Sequence, residues 1–194
     1  MLVAERGDAM HRTPTSGARS WRLRLVAATL LVVATVGWSA ATSGATDKTI
    51  RTEGSEGFQA NVKISSNLRF SPGQTGVRSG DTIHLVHDDS TQEPHTLTIV
   101  DEADVPTTSD DVFNCGSPGT VCDEAFQTVG PQIVDQSQAQ FVNVAGGSGL
   151  DGRLDTVWLP PGGSIDVPVT AAPGTTLRYM CVIHAWMQGI IKVT

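Results

Sequence analysis

The segment Cys181-Val182-Ile183-His184-Ala185-Trp186-Met187 sets a thiol, an imidazole and a thioether at successive three-residue steps. It lies between an alternating run at 177–181 and a last one at 189–193, so a short loop would present all three donors to one point. Thiolate and thioether are soft donors and imidazole suits copper, so this set selects copper over magnesium or calcium. Two imidazoles and a thiolate in a plane, with a weak thioether on the axis, are the geometry of electron-transfer copper. One more histidine is needed, and His95 in Pro94-His95-Thr96-Leu97-Thr98-Ile99-Val100 supplies it. Its parity puts it with Leu97 and Ile99 on the inward face of a strand, toward a core into which Cys181 also points. Singly, none of the four is diagnostic: a strand histidine is usually a surface or satisfied core residue, a lone cysteine a small buried apolar group, a lone methionine core filler. The conjunction is specific. His84 and His87 imitate an H-x2-H metal pair, but three residues apart on a strand they face opposite sides, and they are left out of the set.

The elements that must position these donors have a period of two. Val62 and Ile64, then Leu68 and Phe70, alternate with polar residues before the turn Ser71-Pro72-Gly73. Ile83 and Leu85 alternate with Thr82 and His84, Ile165, Val167 and Val169 with Asp166 and Pro168, and Leu177, Tyr179 and Cys181 with Arg178 and Met180. Such alternation, punctuated by Gly, Pro and Ser, predicts half-buried antiparallel strands. No long amphipathic helix is evident beyond the N-terminal segment, so an all-β, Greek-key antiparallel β-sandwich is expected. Two stretches break the rhythm. Residues 46–57 are polar and Gly/Glu-rich and read as a flexible linker. Residues 102–156 are acidic and Gly-rich, hold two cysteines and one plausible strand at 139–144, and read as a long insertion in a domain spanning 58–194.

Charge and the N-terminus bear on location. Residues 46–194 carry eight of the 13 basic residues but 18 of the 20 acidic ones, an excess of ten negative charges. That argues against nucleic acid and for a basic or neutral docking partner. Arg12, Arg19, Arg22 and Arg24 precede an apolar run at 25–38, and Ser39-Ala40-Ala41 and Ser43-Gly44-Ala45 both offer small residues for cleavage. Residues 1–45 are therefore expected to be a signal peptide or an uncleaved membrane anchor, with the protein periplasmic, extracellular or held at the cell envelope. In an oxidising compartment thiols pair. Cys115 and Cys122 flank a Gly/Pro turn suited to a local disulfide, zinc being the other option, which leaves Cys181 over.

The pattern Phe70-Ser71-Pro72, Gly80-Asp81-Thr82, Pro94-His95-Thr96, then Pro173-Gly174, Tyr179, Cys181, His184, Met187 and Gly189 resembles the plastocyanin/azurin group of cupredoxins, over about residues 60–101 and 157–194. Two residues between His184 and Met187 match amicyanin rather than plastocyanin, whose ligand loop is longer. The resemblance implies one type 1 copper ion, with His95, Cys181 and His184 as equatorial ligands and Met187 as the axial one. It also implies an electron port at His184, beside Ala185, Trp186 and Pro94, where redox protein partners would dock on a monomer. Thr96 stands where the family often has Asn, and the 102–156 segment departs from small plastocyanins. An exported copper carrier or storage protein would use the same donors. A copper-free interaction module would leave all four intact ligands without a purpose. An enzyme would need further copper sites of H-x-H or H-C-H type, which this chain lacks, so an electron carrier without substrate turnover is expected.

Overall fold

A computed structural model describes residues 48–194. The expected signal or anchor segment at 1–45, and the first residues of the expected linker, lie outside them. The described strands are β1 (Lys48–Glu53), β2 (Glu56–Gln59), β3 (Lys63–Ser66), β4 (Arg69–Ser71), β5 (Gln74–Val77), β6 (Thr82–His87), β7 (His95–Val100), β8 (Gln140–Val142), β9 (Thr156–Leu159), β10 (Ser164–Pro168), β11 (Thr176–Met180) and β12 (Gln188–Val193). They form a first sheet in the order β10-β6-β1-β4 and a second in the order β5-β12-β11-β7-β9-β8, with β2 and β3 a separate hairpin. Pairing is antiparallel except for β1 with β6 and β5 with β12. The expected sandwich is present.

Alternation along each strand puts one apolar face of each sheet between the two. Ile50, Ile83, Leu85 and Val167 from the first sheet meet Leu97, Ile99, Leu177, Tyr179 and Ile191 from the second. Each large apolar side chain so buried contributes roughly 1.5–3 kcal/mol. Gly189 faces Tyr179 across β11 and β12. A Cβ there would run into the tyrosine ring, so the glycine leaves room for Tyr179 to meet Phe70 edge to face, ring centres 5.0 Å apart.

Three expectations change. The linker assigned to 46–57 does not begin as a tether: residues 48–53 are β1, hydrogen-bonded between β6 and β4, with Ile50 and Thr52 each 1% exposed. One apolar residue in Lys-Thr-Ile-Arg-Thr-Glu hid a strand whose burial comes from its neighbours. The alternation at Val62 and Ile64 does not mark a half-buried strand either. Both faces of the β2–β3 hairpin are exposed. The third change concerns the outer face of the second sheet, where Thr96, Thr98 and Met180 are buried rather than solvated.

The cover over that face is the insertion. After a 3-10 turn at Glu102–Asp104 come α1 (Ser109–Asn114), α2 (Val121–Thr128) and a second 3-10 turn at Gly130–Gln132. Thr108 and Asp111 form a capping box at the start of α1, and Thr120 caps α2. Cys115 and Cys122 are joined in a disulfide between the two helices. With Val121, Ala125 and Val129 they pack against Val100, Met180, Val182 and Ala185 as a second apolar cluster. Arg153 holds the insertion together, binding both carboxylate oxygens of Glu124 at 2.8 and 2.6 Å and Asp104 at 2.9 Å.

Candidate metal centre

His95 opens β7 with its side chain wholly buried, and Cys181 follows the last residue of β11, also wholly buried. His184 and Met187 lie in the turn from β11 to β12. That turn is closed by the Met187 N–H donating to the His184 carbonyl at 2.8 Å and the Cys181 N–H donating to the Met187 carbonyl at 3.0 Å. Close spacing in sequence thus becomes one tight loop. It brings Cys181 Sγ to 3.7 Å from His184 Nδ1 and 3.9 Å from His95 Nδ1, with the two nitrogens 3.1 Å apart. The point equidistant from these three atoms lies roughly 2 Å from each, the range of metal–imidazole bonds and just inside that of metal–thiolate bonds. Met187 is buried in the same loop, against the sandwich core.

The surroundings prepare the sulfur to be a thiolate. The N–H groups of Thr96 and His184 both point at Cys181 Sγ, at 3.3 and 3.4 Å. Burial pushes the Cys181 thiol up, but hydrogen bonds from His184, His95 and the Thr96 N–H outweigh it and lower it to about 6. Burial pulls His184 down, yet its contact with the sulfur and with Glu93 raises it to about 9. A thiolate and neutral nitrogen lone pairs are what a soft metal ion needs.

Two residues that the sequence reading did not single out set the imidazole tautomers. His95 Nε2 lies 2.8 Å from Asp89 Oδ2, and His184 Nε2 lies 2.7 Å from Glu93 Oε2. A carboxylate only accepts, so each outer nitrogen carries its proton, and a metal ion that displaces the inner Nδ1 protons would find both lone pairs aimed at the point Cys181 Sγ also faces. Burial alone would raise Asp89, but hydrogen bonds from Thr52 and Thr91 hold it down at about 2. The signal available was the run Asp88-Asp89 and Glu93 just ahead of Pro94-His95. Thr96 also braces the site through its hydroxyl, since Oγ1 accepts the Val182 N–H at 2.9 Å and so ties β7 to the donor loop.

His84 and His87 do face opposite sides, as their spacing required. His84 is partly exposed against Asp166 at 2.6 Å, while His87 turns inward. His87 Nε2 is 2.9 Å from the Glu93 carbonyl, and its ring centre is 5.0 Å from that of His95. It buttresses the site without presenting a nitrogen to Cys181.

No protein-family model and no curated protein matches the chain. Among solved structures it is similar to a purple cupredoxin from Nitrosopumilus maritimus, at 14% identity over 76% of this chain and 100% of that one, with a TM-score of 0.40. It is also similar to a dithionite-reduced auracyanin from Roseiflexus castenholzii, at 18% identity over 77% and 97% with a TM-score of 0.39. An oxidised plastocyanin from Dryopteris crassirhizoma is 17% identical over 75% and 99%, with a TM-score of 0.35.

Proposed function

We propose that this chain, a cupredoxin β-sandwich carrying the His, Cys, His and Met donors of a type 1 copper set, is an exported carrier of single electrons. The observation that carries this is the triangle of His95 Nδ1, Cys181 Sγ and His184 Nδ1, whose outer imidazole nitrogens are already committed to carboxylates. His95, Cys181 and His184 would hold the ion, with Met187 completing the set. Copper supplies a one-electron couple there. The protein holds the donors so that little moves when the electron does: His95 sits on a strand, Cys181 at a strand end, and Thr96 binds the two segments together. His184 is 5% exposed, beside the half-exposed indole of Trp186 at 5.3 Å between ring centres. That edge is the port at which a redox protein would dock on the monomer.

Export is supported by the Cys115–Cys122 disulfide and by the apolar run after the N-terminal arginines. Among the described residues no helix is long and apolar enough to cross a membrane. Substrate turnover is disfavoured by the burial of all four donors, and the same burial weighs against a carrier that must load and release copper readily.

The test is the visible and EPR spectrum of the protein with equimolar Cu(II). An intense thiolate-to-copper band with narrow copper hyperfine splitting is expected, and Cys181→Ser is expected to abolish it. A colourless protein that takes up only Cu(I) would replace the electron-carrier reading with copper carriage or storage.

A further inference from the structure

We infer that Asp89 is the residue that sets the reduction potential of the copper centre low, by holding a buried negative charge on the outer nitrogen of His95. The inference rests on the copper reading above and adds a positioning residue to it.

The carboxylate of Asp89 is wholly buried, as is the His95 ring it touches. Four donors converge on it. Thr52 Oγ1 and His95 Nε2 reach Oδ2 at 2.5 and 2.8 Å, while the Thr91 N–H and Oγ1 reach Oδ1 at 2.9 and 2.6 Å. Every one of these contacts suits an anion. Among the described residues the ion pairs of Asp89 are with His87, at 3.7 Å, and with His95; neither partner is a lysine or arginine. The His87 Nε2 proton is directed at the Glu93 carbonyl. A buried carboxylate with no fixed cation beside it therefore stands one imidazole ring away from the metal point.

Two effects of that placement have the same sign. The oxidised centre carries one more positive charge than the reduced one, and a nearby anion in a low-dielectric interior favours the more positive state. A carboxylate drawing on the Nε2 proton also makes Nδ1 a stronger donor, which again favours the oxidised ion. Both lower the potential.

Glu93 supplies a control within the same loop. It makes the same kind of contact to His184 at 2.7 Å, but its side chain is 52% exposed. Water and salt screen it, so its influence must be smaller and must fade with ionic strength. Contact type and distance match; burial differs.

The experiment is a redox titration at fixed pH of the copper-loaded wild type, Asp89→Asn and Glu93→Gln, each at low and high salt, with the EPR spectrum recorded alongside. At the midpoint potential of the wild type, Asp89→Asn is expected to raise the reduced-to-oxidised ratio at least tenfold, about 59 mV for a one-electron couple, equally at both salts. Glu93→Gln should give a smaller rise that shrinks at high salt. Thr91→Ala, at a partly exposed position, removes one hydroxyl from the carboxylate and concentrates its charge on His95. It should lower the ratio about twofold, and it decides the matter if Asp89→Asn does not fold. In the zinc-loaded protein the His95 Nε2 proton should resonate far downfield and lose that shift in Asp89→Asn. A wild type without the copper band would overturn the copper reading itself. A normal copper band whose potential is unmoved by Asp89→Asn, or raised by Thr91→Ala, would overturn this inference alone.

Discussion

The two faces of the second sheet come from the same strands and are buried in different ways. The inner face, with Leu97, Ile99, Leu177 and Tyr179 leading to Cys181, is apolar and closes on the first sheet. The outer face carries Met180 and Val182 but also Thr96, Thr98 and Thr156, and its cover is the insertion. There the polar groups answer one another. Thr156 Oγ1 reaches the Leu154 carbonyl at 2.8 Å and Thr98 Oγ1 at 3.1 Å, Thr98 Oγ1 bonds Thr96 Oγ1 at 3.2 Å, and Thr96 Oγ1 accepts from the Val182 N–H. A cavity of about 190 Å³ remains beside them, lined by Thr96, Phe126, Val129, Ile133, Trp158 and Ile183. The inner face thus stabilises by close packing, whereas the outer face orients the donor loop through a hydrogen-bonded line that ends one residue past Cys181. The inner side carries the larger apolar core together with Cys181 and Met187, and the outer side adds a polar tie that fixes the donor loop against β7.

Substitutions on the two sides should separate these roles. Ile191→Ala, on the wholly buried inner face, should cost about 2–5 kcal/mol in denaturant unfolding and leave the spectrum of the surviving folded copper protein unchanged. Replacing Cys115 and Cys122 by Ser opens a closed loop of sequence separation 7 and should cost about 2 kcal/mol, read as a lower unfolding midpoint with the copper band retained. If that pair of substitutions abolished copper binding, the insertion would be part of the site and the division between the faces would fail. Thr96→Val is nearly isosteric and leaves the buried Val182 N–H without its acceptor, at roughly 1–3 kcal/mol. Its distinguishing effect should be spectroscopic, a shifted thiolate-to-copper band and faster copper loss to a chelator. A normal spectrum in Thr96→Val would show that the inner face alone holds the loop.

Much of the fold was legible because alternation is a local signal. Ile83 and Leu85, Leu97 and Ile99, and Leu177 and Tyr179 are all buried as their parity required. The same signal misled at Val62 and Ile64, where alternation is real but nothing in the described residues covers the hairpin. It failed again at Lys48–Glu53, where a strand with one apolar residue pairs with β4 and β6 on its two edges and buries only Ile50 and Thr52. Thr96 and Thr98 looked solvent-facing for a related reason. Parity tells which residues share a face but not what lies over it, and the cover is separated from β7 only by the chain of the insertion that folds back.

The donor loop shows where local information suffices. Cys181, His184 and Met187 are close enough in sequence that two backbone hydrogen bonds complete the turn, and their chemistry selects a soft metal ion whatever surrounds them. His95 could be added from 86 residues away because strand parity aimed it at the same core. What only the tertiary structure decided is the environment of those donors: which nitrogen of each imidazole faces the sulfur, that Asp89 is buried and Glu93 exposed, and that two backbone N–H groups converge on the thiolate. Hydrogen-bond partners and dielectric depend on distances of a few ångströms between segments far apart in the chain. Residue type and spacing carry no record of those distances.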